Sequence, residues 1–218
     1  MQCGISERAF VLGICILART VNPDRAAERR SQILEAAHAC FVRKGFHQTS
    51  IDEICTAAEI SPGGLYRYFS SKDAIIEAIG ETARLEIQEL LSGVRAGGNI
   101  VDGLSNLVAR FSELLTDRAE AGLGVELIAE GLRNPIIGNI IRNAESAMID
   151  DFSDLVAAGQ RRGDIESSID PRQAATVLMS AADGLGLRLA LGHKMTPQEA
   201  SGTLQSLLNR YLRPTGAA

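Results

Sequence analysis

The 218-residue sequence has little of several residue types that mark particular protein classes. Its four cysteines, Cys3, Cys15, Cys40 and Cys55, have no Cys-x-x-Cys spacing and no histidine cluster beside them, which argues against a zinc site and a disulfide scaffold. Tryptophan is absent, and six Phe and three Tyr argue against a large aromatic cage for a quaternary ammonium ligand. The apolar run 9–18 has about half the length of a membrane span. With 45% hydrophobic and 22% charged residues, the composition excludes a disordered, collagen-like or polytopic membrane chain.

The charge of the chain is acidic as a whole but unevenly distributed. Lys and Arg number 22 against 27 Asp and Glu, a net charge of −5, which at first argues against nucleic acid as a partner. Residues 22–75 hold seven basic and seven acidic residues, and the acidic excess lies in residues 76–218, with 13 against 19. A DNA contact in the first segment would therefore depend on where individual cations and helix N-termini point, not on bulk charge.

Proline is also scarce, and its positions mark helix starts. Four of the six prolines follow a helix-capping residue, in Ser61-Pro62, Asn134-Pro135, Asp170-Pro171 and Thr196-Pro197. Proline is favoured at the first helical position because the N–H that it lacks would have no partner there. Strand signals are nearly absent, and apolar residues recur at helical spacing through most of the chain. The sequence therefore predicts an all-α protein of about nine helices.

The first 21 residues differ from the rest and are interpreted as an N-terminal extension. Their apolar run has the length of a signal-peptide core, but Ala18-Arg19-Thr20 is a poor cleavage site. Bacterial GUG codons are read as Val when they lie inside a reading frame. We therefore hypothesise that the true first residue is Val21, which the intact mass of the natively expressed protein would test.

Three short helices within the first 70 residues have the spacing of a helix-turn-helix. The first is expected over about 26–44, the second opens with the capping box Ser50–Glu53, and the third opens at Ser61-Pro62 and ends near Phe69. In this motif the second helix braces the third, whose N-terminal half enters the major groove of DNA. The residues that open the third helix are small enough for the backbone to approach base edges. They are Ser61, Pro62, Gly63 and Gly64.

The side chains that follow have the chemistry of DNA contacts. Leu65 and Phe69 share one helical face and should be buried. Tyr66, Arg67 and Tyr68 then project elsewhere, with one guanidinium for a guanine edge and two hydroxyls for phosphates.

Further cations flank this motif on both sides. Lys72 opens the next helix and would add a phosphate contact beside the helix N-terminus. Arg25, Arg29 and Arg30 precede or open the first helix, where they are either a phosphate-binding arm or a solvated run of charge.

The segments 49–54 (TSIDEI) and 64–73 (GLYRYFSSKD) resemble the DNA-binding domain of TetR/AcrR-family transcriptional regulators, and the similarity extends from Glu28 to Ile79. Residues 174–191, with Asp183-Gly184-Leu185, are weakly similar to the BetI-like C-terminal domain. The resemblance implies a helix-turn-helix DNA-binding domain over 22–75 and an effector-binding and dimerisation domain over 76–218. It also implies a homodimer whose last two helices pair into a four-helix bundle, and a ligand cavity in the C-terminal domain.

The family positions also imply a role for each DNA-contacting residue. Phosphate contacts fall to Ser50, Tyr66, Tyr68 and Lys72, and contacts with the bases to Ser61, Gly63, Gly64 and Arg67. The predicted DNA-binding set is completed by Thr49 and Pro62. Asp52 departs from several relatives, which carry a basic residue there, so helix 2 is expected to contribute little to base reading.

Two further sets of residues are candidates for the effector pocket and the dimer interface. The pocket candidates are mostly apolar and are Leu107, Phe111, Glu126, Leu127, Met148, Phe152, Met179 and Asp183. The interface candidates form apolar stripes on the last two helices and are Val177, Ala181, Leu185, Leu204, Leu207, Leu208 and Tyr211. Each stripe could equally be ordinary core. A carboxylate in the pocket would select a cationic ligand, unless it is exposed or paired with an arginine.

These features predict a cytoplasmic, ligand-responsive repressor that binds a palindromic double-stranded DNA operator as a dimer. The alternative is a helix-turn-helix activator or adaptor without a small-molecule effector. An enzyme is not expected, because neither a Glu-x-x-His pair nor a nucleophile–base set occurs. No metal, cofactor or membrane partner is predicted.

Overall fold

The computed structural model describes residues 10–11, 14–15, 25–111 and 118–214. Most of the N-terminal extension, with the proposed start at Val21, lies outside these ranges. The described part contains nine helices, and the predicted all-α fold is confirmed. In chain order they are α1 Arg25–Lys44, α2 Ile51–Ala57, α3 Pro62–Leu65, α4 Lys72–Ala96, α5 Ile100–Phe111, α6 Arg118–Gly131, α7 Pro135–Arg162, α8 Pro171–Ala190 and α9 Pro197–Leu212. Two short strands, β1 Phe10–Val11 and β2 Ile14–Cys15, pair antiparallel.

Every helix start that was predicted from a proline is confirmed. In each case the residue before the proline has an extended backbone, and its side chain accepts a backbone N–H from the first turn. The pairs of capping and donor residues are Ser61 with Gly64, Asn134 with Ile136, Asp170 with Gln173, and Thr196 with Glu199. No helix in the described part of the chain is long and apolar enough to cross a membrane.

One hydrophobic cluster holds α1, α2 and α3 together with the first turns of α4; this unit is called the head below. Its fully buried side chains include Phe41, Ile54 and Leu65. The same cluster takes in Leu123 and Leu127 from α6 and Ile137 from α7. The core of the head is therefore continuous with the base of the C-terminal helices.

A second cluster joins α4, α5, α7, α8 and α9. Ile87 and Leu91 of α4, Leu155 of α7 and Leu208 of α9 are all buried in it. Because α4 and α7 each contribute to both clusters, these two helices connect the head to the C-terminal bundle. An ion pair between Arg84 of α4 and Asp151 of α7, 3.1 Å apart, further fixes α4 against the bundle.

Candidate DNA-binding site

The second helix of the head begins with a complete capping box. The Ser50 hydroxyl accepts the backbone N–H of Glu53 at 3.2 Å, and the Glu53 carboxylate accepts the backbone N–H of Ser50 at 2.9 Å. Hydrogen bonds from Lys44 and from the backbone of Ser50 lower the pKa of Glu53 to about 2. The carboxylate is therefore ionised at neutral pH, and this reciprocal cap fixes where α2 leaves the preceding loop.

The turn between α2 and α3 contains a residue in an unusual conformation. Glu59 has φ +51°, and it is the only residue other than glycine with a positive φ in the described ranges. The carbonyl oxygen of Glu59 accepts a 2.6 Å hydrogen bond from Nη2 of Arg29 in α1. The left-handed residue redirects the chain so that α3 can start two residues later, at its cap Ser61.

The third helix is shorter than the sequence predicted. Its α-helical part is Pro62–Leu65, and the expected extension to Phe69 is wrong. Beyond Leu65 the backbone tightens, because Arg67 N–H bonds to Gly64 O and Tyr68 N–H to Leu65 O, three residues back in each case. Residues 62–69, called the recognition segment below, are thus one helical turn followed by a tight turn.

The recognition segment has one buried side and one open side. Leu65 and Phe69 are buried, as predicted. Tyr66 is 53% exposed, and Arg67 is exposed, its guanidinium making no hydrogen bond or ion pair to any described residue. Tyr68 is half-buried against the head core. Arg67 and Tyr66 therefore point into solvent from a firmly seated backbone.

The two glycines of the segment differ in their surroundings. A Cβ atom on Gly63 would meet no described heavy atom within 4 Å. A Cβ atom on Gly64 would lie 2.7 Å from Cγ1 of Ile60. Gly64 is required for close packing of the segment on the turn, whereas Gly63, together with exposed Ser61 and Pro62, leaves an open surface beside Arg67.

Thr49 and Lys72 are engaged within the protein. Thr49 is 2% exposed, and its hydroxyl donates to the carbonyl oxygens of Gly45 and Cys40. The Lys72 ammonium donates to the carbonyl oxygens of Phe46 at 2.6 Å, His47 at 3.3 Å and Thr49 at 3.1 Å, and burial lowers its pKa. Lys72 therefore ties the α1–α2 loop to the start of α4. The Thr49 side chain is buried, so its assignment to the DNA-binding set is corrected, whereas a phosphate contact by Lys72 stays a prediction.

The α1–α2 loop also contacts α6. The backbone N–H of His47 donates to Oε1 of Glu126 at 3.0 Å, and the His47 ring lies 2.6 Å from Oε2 of Glu130. The hydrogen bond with His47 lowers the pKa of Glu130. Glu126 was expected in the effector pocket; this expectation is corrected, because its carboxylate faces the head. These two contacts are called the α6 link below.

The remaining pocket candidates fall into two groups. Leu107, Met148, Phe152 and Met179 pack in or against the second cluster, whereas Leu127 is buried in the head core instead. The Phe111 side chain lies outside the described residues.

Asp183 is a further pocket candidate and lies on α8. Burial, with a smaller contribution from Glu145 of α7, raises the pKa of Asp183 to about 6. Among the described residues no group of His, Cys, Asp or Glu could hold a metal ion.

The interface candidates also divide between surface and core. On α8, Val177 is 45% exposed, and Ala181 and Leu185 are partly exposed. On α9, Leu208 is buried in the second cluster, so its assignment to an interface is corrected. The other candidates of α9 are partly buried, and they are Leu204, Leu207 and Tyr211.

A recognition segment with an open polar side, braced by a second helix, defines a helix-turn-helix DNA-binding protein. Family models agree along the chain: residues 33–79 match "Bacterial regulatory proteins, tetR family", and residues 104–213 match "BetI-type transcriptional repressor, C-terminal". The chain therefore belongs to the TetR family of DNA-binding transcriptional regulators, and it is not an enzyme.

Individual relatives agree with this assignment. The HTH-type transcriptional regulator UidR of Escherichia coli is 31% identical over 164 residues, which cover 73% of this chain and 81% of UidR. The HTH-type transcriptional regulator TtgR of Pseudomonas putida is 25% identical over 169 residues, covering 74% and 80% of the two chains. The solved structure of Salmonella enterica GusR is 33% identical with a TM-score of 0.68, covering 87% of this chain and 97% of GusR.

Proposed function

We propose that this regulator is a repressor that binds a palindromic operator as a homodimer in the cytoplasm and is released by a small molecule. The main observation behind the proposal is the unengaged, exposed Arg67 guanidinium beside the open surface of Gly63. Arginine is the side chain best suited to read the O6 and N7 atoms of guanine in the major groove. Arg67 is therefore proposed to read one base pair in each half-site.

The other DNA contacts are proposed from exposure and polarity. Tyr66 and Tyr68 carry hydroxyls that suit phosphate oxygens, and Ser61 lies beside the proposed base-reading surface. The Ser50 hydroxyl donates to Oε2 of Glu53 at 3.1 Å, so a phosphate contact would replace that bond. Lys72 holds the α1–α2 loop, which carries Ser50, through hydrogen bonds to its carbonyl oxygens. A phosphate contact by Lys72 would require its ammonium to bind a phosphate oxygen in addition to these carbonyl oxygens. The phosphate contacts would set the affinity for DNA and the register of the protein on the duplex, whereas Arg67 would set the preference for a particular base pair.

The release mechanism is proposed to use the α6 link. Glu126 and Glu130 of α6 hold the loop that also receives the three hydrogen bonds of Lys72. A shift of α6 would therefore move the α1–α2 loop and, through α2, the recognition segment. The effector is proposed to bind in the C-terminal bundle, near Leu107 of α5, Phe152 of α7 and Met179 of α8. The carboxyl group of Asp183, also on α8, would supply a polar contact there.

The dimer is proposed to form through the exposed side of α8. Val177, Ala181 and Leu185 lie at helical spacing on one side of α8 and are not buried within the described chain. A second copy that covered this stripe would form a symmetric dimer with two heads. This symmetry predicts an operator of two inverted half-sites.

A release assay separates the repressor from the alternative, an activator or adaptor without an effector. The operator is first selected from random DNA with the full-length protein, and metabolite mixtures of differing charge are then screened for loss of operator binding. A compound that releases wild-type protein and shifts its thermal transition supports the repressor. Screening without any release, combined with operator-dependent activation of a reporter, would support the alternative.

A further inference from the structure

We infer that Arg29 and Arg30 of α1 are positioning residues for DNA recognition, acting through the recognition segment and not through phosphate contacts. The two side chains reach the two ends of the region that reads DNA. Arg29 bonds to the carbonyl oxygen of Glu59, two residues before the cap of α3. The guanidinium carbon of Arg30 lies 5.0 Å from the ring centre of Phe69, the last residue of the segment.

The contact at the first end is specific in its geometry. Glu59 adopts φ +51°, a left-handed conformation that residues with a side chain seldom adopt. A backbone in that conformation persists only where its surroundings hold it. Within the turn, Glu59 N–H bonds to Thr56 O at 3.3 Å, and Ile60 N–H bonds to Cys55 O at 2.9 Å. The Arg29 guanidinium adds a third, charge-assisted bond at 2.6 Å and connects the turn to α1.

The orientation of the segment depends on this turn. Ile60 follows Glu59 directly, and its side chain packs so closely on Gly64 that a Cβ atom there would lie 2.7 Å away. A change in the Glu59 backbone therefore displaces Ile60 and, with it, the first turn of α3. Arg67 extends from the same segment, so the position of its guanidinium depends on the turn.

Arg29 is already occupied on its other side. Its Nη1 atom donates to Oε1 of Gln32 at 2.8 Å, one turn further along α1. The guanidinium is thus held between its own helix and the turn, and its side chain is partly buried. These two contacts fix the guanidinium against the turn, so the geometry favours the positioning role over a mobile phosphate-binding arm. Arg30 is exposed, and its stacking on Phe69 makes a weaker contribution.

The test compares specific and non-specific DNA binding by the full-length protein over a series of salt concentrations. Arg29→Ala should weaken operator binding by about tenfold, and Arg30→Ala by about threefold. Affinity for unrelated DNA and the slope of log affinity against log salt should both stay unchanged. Arg29→Lys should restore operator binding, because its ammonium can also donate to the Glu59 carbonyl. Arg67→Ala serves as a comparison that removes a DNA contact without disturbing the turn.

Two results would overturn the inference. If Arg29 contacts a phosphate, Arg29→Ala should weaken binding to both DNAs together and make the salt slope shallower by about one. If Arg29 only stabilises the fold, the variant should lose active protein, while the remaining active fraction binds the operator with wild-type affinity. The inference rests on operator binding by the wild-type protein. If the wild-type protein selects no operator, the proposed function fails. If the wild type binds an operator but the variants behave as in either result above, only this inference fails.

Discussion

Two glycines allow a direct test of the contact between α6 and the head. Gly45 has φ +85°, and a Cβ atom there would lie 2.4 Å from Oε2 of Glu126. Gly163, the C-cap of α7, has φ +80°, but a Cβ atom there would meet no described heavy atom within 4 Å. Both positions impose the same left-handed backbone on an alanine. Only the alanine at residue 45 would also displace a carboxylate, so Gly163→Ala is a matched control for Gly45→Ala.

The expected loss of stability follows from these two contributions. The left-handed backbone costs a residue with a Cβ about 1–2 kcal/mol, so Gly163→Ala should lower the free energy of unfolding by that amount. Gly45→Ala should carry the same cost and also break the bond between His47 N–H and Glu126. Because that bond is solvent-exposed, its loss should add about 1 kcal/mol, for a total of about 2–3 kcal/mol.

The assay is urea unfolding, followed by far-UV circular dichroism. All variants are measured at one protein concentration, well above the dissociation constant of the proposed dimer. A double variant isolates the Glu126 contribution: in a Glu126→Ala background, Gly45→Ala should cost only as much as Gly163→Ala. Equal losses for Gly45→Ala and Gly163→Ala in the wild-type background would refute the reasoning. They would mean that the Glu126 carboxylate can move away from Gly45 without loss of stability, so that the Glu126 contact of the α6 link contributes little to it.

Three further predictions concern DNA reading, dimerisation and pH. Arg67→Ala should weaken operator binding by about 1–3 kcal/mol and relax preference at one base pair per half-site; unchanged preference in a selection experiment would refute its base-reading role. Val177→Glu should give a folded monomer in sedimentation, whereas Leu208→Glu, in the buried core, should unfold the chain; a dimeric Val177→Glu would place the interface elsewhere. The pKa of Asp183, raised from 3.8 to about 6, means that the native state holds more protons than the unfolded state between these values. The contribution of Asp183 to the free energy of unfolding should therefore fall as pH rises from about 4 to 6, so Asp183→Asn should become more stable than the wild type over that range, by up to about 3 kcal/mol at pH 7; a difference between the two proteins that does not change with pH would contradict this.

Features encoded by neighbouring residues could be predicted from the sequence. The capping box of Ser50 and Glu53 and the start of α3 at Ser61-Pro62 use groups at most three residues apart, so their pattern is visible in the sequence. The burial of Leu65 and Phe69 followed from helical spacing in the same way. The length of α3 could not be predicted in this way. Beyond Leu65 the backbone tightens as it follows the core of the head, and the spacing of apolar residues in the sequence does not show this change.

Contacts between distant residues left no such signal. His47 meets Glu126 and Glu130 across 79 and 83 residues, whereas the sequence had placed Glu126 among the candidates for the effector pocket. The amphipathic pattern of α9 likewise identified an apolar stripe but not what covers it. Leu208 packs into the core of its own chain, and a single helix pattern cannot distinguish that from a partner's surface.

In the proposed function the recognition segment reads a symmetric operator. Footprinting of the full-length protein on the DNA that flanks its own gene tests this most directly, with Arg67→Ala run beside the wild type. We predict protection of an inverted repeat whose half-sites lie about 34 Å apart, or a multiple of that distance. The variant should need a higher protein concentration for the same protection, in line with its weaker operator binding. Protection without inverted symmetry, or protection by Arg67→Ala equal to that by the wild type, would contradict the account.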